Sequence, residues 1–197
     1  SMEIYSLHSS VIYSINSYTQ HSGNVKCVAK GTGILVRYFT LDGGKLTVSG
    51  NSSDGINASY LVTIKGGVLN ATNTSIESQH AAIFCQNDIT INGGQVTATG
   101  TNGSQGIKSQ YKDITLGYTN ADDFIQASSY SVASGKNVKI KDGQTMTDGT
   151  NSYNDQTPTA TLEALTSATL RPACTVTFEI NYGEGTAPET QIVLLGQ

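Results

Sequence analysis

Tryptophan is absent from this chain, charged residues make up only 13% of it, and its three cysteines and three prolines are scattered. Each shortage excludes something. Cys27, Cys85 and Cys174 are an odd number at unrelated spacings, which removes a disulfide framework and a CxxC metal pair. Scarce Glu, Lys and Arg remove the usual material of surface helices. A net charge of −4 and a pI near 5.2 leave no basic field for a phosphate backbone, so no nucleic acid partner is expected. No apolar run approaches the ~18 residues that span a bilayer, and the first residues lack the basic and apolar regions of a signal peptide. Ser1-Met2 looks like the remnant of a cleaved expression tag, so the natural chain is expected to extend upstream, where any export signal would lie.

Gly, Thr, Ser and Asn dominate instead, and they are organised into a repeat. An aliphatic-Thr-aliphatic strand, a tight turn and a second alternating strand recur from Tyr18, Phe39, Val62, Ile89 and Ile114, with a looser copy from Val138. The clearest copies read Phe39-Thr40-Leu41-Asp42-Gly43-Gly44, Val62-Thr63-Ile64-Lys65-Gly66-Gly67 and Ile89-Thr90-Ile91-Asn92-Gly93-Gly94. Successive starts lie 21, 23, 27, 25 and 24 residues apart, a period that calls for a stacked solenoid with one repeat per turn.

Side-chain alternation predicts how each turn is built. In the first strand, Phe39/Leu41, Val62/Ile64, Ile89/Ile91, Ile114/Leu116 and Val138/Ile140 alternate with polar residues, the period of two of a strand with one buried face. Val25/Cys27, Leu46/Val48, Leu69/Ala71 and Val96/Ala98 repeat the pattern in a second strand. Ile56/Ala58, Ile83/Cys85 and Ile107/Ser109 mark a third, which places Cys27 and Cys85 among small inward-facing core residues. Three strands per turn predict a triangular, right-handed parallel β-helix of about six coils, all-β in class and roughly 30 Å long at ~4.8 Å per coil. Glycine pairs serve the corner between first and second strands, and insertions at Asn51–Asp54, Asn73–His80 and Thr101–Gln105 absorb the variation in period. The domain plan is residues 1–17 as an N-terminal cap or degraded first coil, 18–143 as the β-helix, and 144–175 as loop and C-terminal cap carrying Leu162, Leu165 and Leu170. Residues 176–197 form a separate tail.

Two stretches resemble known families. Gly55-Ile56 to Thr72, Ala82-Ile83 to Thr99 and Gly106-Ile107 onward are similar to the repeats of exported bacterial carbohydrate-binding β-helix proteins, related in shape to pectate lyases; the likeness covers residues 18–143. It implies binding of acidic polysaccharide with calcium, outside the cell or at its surface. Val176-Thr177-Phe178-Glu179-Ile180-Asn181-Tyr182-Gly183-Glu184-Gly185-Thr186 resembles the opening of an internalin-type B-repeat, with Tyr182 where that family carries glycine and too little chain after it for a whole module.

On a rod of this kind a binding surface is a column of side chains at equal offsets in successive coils. Tyr38, Tyr60 and Tyr111, with Asn87 interrupting, are expected to line the corner before the first strand, where rings can stack on sugar faces or simply cover the corner. Asp88, Asp113 and Asn137, one residue before that strand, are candidate calcium ligands if their oxygens converge, and otherwise solvated groups at a strand start. Asp122-Asp123 is a second acidic spot. Outward Thr19, Thr40, Thr63, Thr90 and Thr115 could order water or ice, but β-branched threonine is also the ordinary choice for an exposed strand. A lyase would need Lys108 or Lys112 as base beside a metal-bound carboxylate. A glycosidase would need convergent carboxylates, and Asp42 sits at a different offset from Asp88 and Asp113. His8, His21 and His80 share no column and read as loop or cap residues. The expected role is therefore a secreted or cell-surface, non-catalytic glycan-binding module, calcium-assisted if the acidic column holds metal. An adhesin or spacer with a protein partner is the alternative, and a polysaccharide lyase the third reading.

Overall fold

The computed structural model describes residues 1–7, 9–178 and 186–195. His8 and the Glu179–Gly185 part of the B-repeat-like stretch lie outside them. Six coils stack in parallel. The first holds β1 (Met2–Ser6), β2 (Ile12–Tyr13) and β3 (Ser17–Gln20), the second β4 (Asn24–Ala29) and β5 (Ile34–Leu41), and the third β6 (Lys45–Gly50) and β7 (Ile56–Ile64). The fourth holds β8 (Val68–Asn73), β9 (Ala81–Cys85) and β10 (Asp88–Ile91); the fifth β11 (Gln95–Gly100), β12 (Gln105–Ser109) and β13 (Ile114–Leu116); the sixth β14 (Phe124–Ala127), β15 (Tyr130–Ser131) and β16 (Val138–Ile140). The β-helix expected from the repeat is the fold of the chain.

Three faces result. Face one stacks Phe39, Val62, Ile89, Ile114 and Val138 in register, face two stacks Val25, Leu46, Leu69, Val96 and Ile125, and face three stacks Ile34, Ile56, Ile83 and Ile107. Nearly all of these are sealed from solvent, and each fully buried aliphatic side chain contributes about 1.5–3 kcal/mol. Cys27 and Cys85 lie in this core as expected, and burial pushes both thiols up to about 11. β5 and β7 run through both face three and face one because no turn residue separates the two segments. The glycine corner has a steric reason: Gly94 has φ +89°, and a Cβ there would lie 2.8 Å from the Gly67 carbonyl oxygen of the coil before.

The ends differ from each other. β1, β2 and β3 form a first coil, with β1 pairing to β4 and both β2 and β3 to β5. At the far end the aperiodic stretch expected to be a loop carries β17 (Thr145–Thr147) and β18 (Ser152–Asn154), an antiparallel pair, and helix α1 (Thr159–Glu163). Strands this short leave no periodic signature. β19 (Thr169–Val176) then crosses antiparallel to β14 through Ile125 and Leu170, and β20 (Gln191–Leu194) pairs with β19. Leu162 and Leu170 are buried and Leu165 packs against the core at this end.

Candidate functional site

Because side chains alternate along each strand, every face carries an outward ladder as well as an inward one. Face one presents Thr19, Thr40, Thr63, Thr90, Thr115 and Lys139 in register. Face two presents Lys26, Thr47, Asn70, Thr97 and Gln126. Face three is different in kind. Its ladder runs Tyr13, Leu35, Asn57, Phe84, Lys108 and Ser131, one residue per coil. Aromatic and aliphatic side chains gather on this face and at its corner with face one, and face two carries Tyr5, Val28, Val68 and Phe124 among its remaining outward positions.

That corner is shaped by an irregularity in pairing. Between Val36 and Tyr38 the register of β5 against β7 shifts, so that Arg37 stands opposite two residues, Ser59 and Tyr60. Tyr38 is consequently level with Leu61 and not with Tyr60, and the expected column of Tyr38, Tyr60, Asn87 and Tyr111 is not in register. Counted back from the first strand the offsets already differ in the sequence: one residue for Tyr38 before Phe39, two for Tyr60 before Val62 and three for Tyr111 before Ile114. The rings of Tyr38 and Tyr60 still meet, with centroids 5.0 Å apart and planes tilted by 55°. The Arg37 guanidinium lies 5.4 Å from the first centroid and 5.5 Å from the second, a cation shared by two rings. Asn87 donates its side-chain amide to the Ser59 carbonyl at 3.3 Å, and the Tyr111 N–H donates to the Gln86 carbonyl at 2.9 Å. Tyr60 and Tyr111 are half exposed.

Two depressions flank the ladder. One of about 300 Å³ is lined by Tyr13, Ile15, Leu35, Val36, Arg37 and Ser59, beside the tyrosine corner. The other, of about 260 Å³, lies between the face-three ladder and the 73–80 insertion and reaches Asp54, Asn57, His80, Phe84 and Lys108. Asp54 is almost completely buried there. Burial pushes its carboxyl above the usual range, opposed by hydrogen bonds from the Ala81 N–H (2.8 Å) and the Asn57 amide (2.6 Å) and by the nearby His80. His80, read from sequence as an isolated loop residue, places Nδ1 3.5 Å from Asp54 and Nε2 3.6 Å from Glu77.

The acidic column is in place, but its oxygens have other work. Asp88 accepts the Asp113 N–H at 3.3 Å, Asp113 accepts the Asn137 N–H at 3.0 Å, and Asn137 accepts the Thr159 hydroxyl at 3.3 Å. The second oxygen of Asp113 pairs with Lys139 at 3.6 Å. Asp88 and Asp113 thus each cap the amide of the next coil. Among the described residues no three His, Cys, Asp or Glu side chains group to hold a metal ion. Asp123 is a turn acceptor, taking the N–H groups of Gly94, Thr119 and Asn120 at 2.7–2.8 Å, whereas Asp122 is exposed.

Lys108 donates from Nζ to the Ser78 and Gln79 carbonyls at 3.3 Å each, and Lys112 is exposed. Comparison with protein-family models, curated proteins and solved structures finds no match. The site rests on its own geometry. Sequence reading missed Tyr13, Leu35, Arg37 and Phe84 because a ladder of unlike residues carries no repeated letter. Asp54 and His80 were missed because they meet only through the fold of the insertion between them.

Proposed function

We propose that this β-helix is a non-catalytic glycan-binding module, secreted or displayed at a cell surface, and that face three with its tyrosine corner is the binding surface. The observation that carries the reading is the strip of Tyr13, Leu35, Tyr38, Tyr60 and Phe84, in which two rings share the Arg37 guanidinium; the ladder of face one is threonine but for Lys139, and the apolar groups of face two, Tyr5, Val28, Val68 and Phe124, are interspersed with threonine, asparagine, glutamine and lysine. A sugar ring offers an apolar C–H face and a rim of hydroxyls. Exposed aromatic rings meet the first, and Arg37, Asn57 and Lys108 in the same strip supply hydrogen bonds to the second. Rungs recur every ~4.8 Å, so an extended chain laid along the axis can engage several at once. A single rung would bind near millimolar, about −4 kcal/mol, and several linked rungs raise the effective affinity.

Asp88 and Asp113 each cap a backbone amide, and the chelator arm of the test below reads whether calcium takes part. The geometry lends nothing to a lyase, because the Lys108 ammonium is engaged with two carbonyls of the 73–80 insertion. A second reading, an adhesin or spacer with a protein partner, draws on one observation: Tyr5, Leu7, Tyr13 and Ile15 are largely exposed beside the open strand edges of the first coil. The test is a glycan array of neutral and uronic-acid polymers, run with calcium and with chelator, using the wild type and Tyr60→Ala. Binding that Tyr60→Ala weakens supports the proposal, whereas loss of all binding on chelation would restore the acidic column as the site.

A further inference from the structure

The 73–80 insertion produces the longest repeat of the rod, 27 residues from Val62 to Ile89, and it is not a slack loop. Asn73 is buried, donates its amide to the carbonyls of Ser53 (2.5 Å) and Ala81 (3.2 Å), and accepts the Ser75 N–H at 2.6 Å. Ser75 Oγ accepts the Glu77 N–H at 3.2 Å, and the His80 N–H donates to the Glu77 carbonyl at 3.1 Å. From the next coil Lys108 fastens the Ser78 and Gln79 carbonyls. The insertion is therefore a fixed wall, and the cleft it makes against face three is formed before any ligand arrives.

The lining of that cleft is mixed in a particular way. Phe84, half-buried in the outward ladder, offers an apolar surface. Asn57 gives one amide hydrogen to Asp54, which orients it and leaves its Oδ1 and second hydrogen free. Lys108 uses two of its three N–H groups on carbonyls, and the Gln110 side chain has no hydrogen-bond partner among the described residues. Asp54 is the carboxylate of the lining and Lys108 its one ammonium, and His80 stands between Asp54 and a second carboxylate, Glu77, behind the lining. Such an arrangement disfavours an incoming carboxylate. At about 260 Å³ the cleft is slightly smaller than the pockets that take drug-sized ligands, so one ring fills it.

We propose that this cleft is a subsite for a single neutral hexose ring, which anchors a glycan chain on face three and selects against uronic acids. The inference rests on the glycan-binding reading and narrows it. The test is calorimetric titration with di- to hexasaccharides of glucose, galactose and mannose, and with oligogalacturonates of the same lengths. Wild type, Phe84→Ala, Gln110→Ala and Tyr60→Ala are compared, each after a thermal melt shows that it is folded. The subsite predicts that a neutral oligomer binds at least about tenfold better than any oligogalacturonate. Phe84→Ala weakens it about tenfold or more, Gln110→Ala weakens it less, and Tyr60→Ala weakens long oligomers more than disaccharides. Should Phe84→Ala and Gln110→Ala bind like wild type while Tyr60→Ala does not, the subsite is overturned and the wider reading stands. Preference for uronates overturns it equally, and silence toward every oligomer overturns both.

Discussion

Asp54 is the buried charge on which the cleft wall depends, and two substitutions separate its hydrogen-bonding role from the cost of its charge. Asp54→Ala leaves the Ala81 N–H and the Asn57 amide, now bonded at 2.8 and 2.6 Å, without acceptors. The Ala81 N–H is the buried donor of the two and costs about 1–3 kcal/mol when orphaned, while the part-buried Asn57 amide can turn to the water of the cleft, so the alanine variant loses about 1–3 kcal/mol of stability. Asp54→Asn keeps an acceptor for Ala81, and a flipped Asn57 amide can present its oxygen to the new NH₂ group, so both bonds survive. Its effect then depends on pH. Burial raises the folded pKa of Asp54 above the unfolded value. The native state therefore holds a proton that the unfolded state has released, and this group's contribution to stability falls as pH rises from the ordinary carboxylate range through the raised pKa. Asparagine does not titrate. Urea unfolding of wild type and Asp54→Asn across pH 4 to 8 cancels the other carboxylates in the difference. The variant should gain on the wild type as pH rises and keep the gain at neutrality. A wild type that gains on the variant with rising pH would mean that His80 and the hydrogen bonds outweigh burial, and would refute the argument.

Other outcomes follow from the same geometry. Gly94 and Gly135 both have positive φ, but a Cβ on Gly94 meets the Gly67 carbonyl oxygen at 2.8 Å while one on Gly135 meets nothing within 4 Å. Gly135→Ala should therefore cost only the left-handed conformation, about 1–2 kcal/mol, and Gly94→Ala about 1–3 kcal/mol more, read as the difference in urea midpoints. At Asp148 desolvation raises the pKa but is outweighed by hydrogen bonds from the Asn151 and Thr150 N–H groups and the Tyr153 hydroxyl, which bring it down to about 2. The stability it gives the β17–β18 turn is present above the unfolded carboxylate pKa and lost as pH falls toward 2, so hydrogen exchange at Thr150 and Asn151 should accelerate there relative to other turns and be insensitive to pH protection in Asp148→Asn.

The fold was legible because its determinants are local and repeated. Phe39/Leu41, Val62/Ile64 and Ile89/Ile91 announce one buried face, and the three glycine pairs mark one corner in each of three successive coils, so the stack follows from a period and an alternation. Face three hid its function for the opposite reason. Tyr13, Leu35, Asn57, Phe84 and Lys108 share a column but no chemistry, and their alignment depends on strand registers that vary with insertion length. The bulge at Arg37, which sets Tyr38 opposite Leu61, answers offsets from Phe39 and Val62 that already differ in the sequence. Asp88 and Asp113 share an offset in the sequence, yet the backbone amides that take their oxygens are visible only once coil stands on coil. β17 and β18, inside the expected 144–175 loop and cap, are three residues each, too short to show an alternation.

The central claim is that face three binds sugar, and the most direct measurement is titration of the array's best glycan into wild type and into a Tyr60→Ala, Phe84→Ala double variant shown to be folded. The account predicts saturable binding by the wild type and its loss in the double variant, with a Thr63→Ala, Thr90→Ala control on face one behaving like wild type. Equal binding by all three proteins, or loss only in the face-one control, would contradict it.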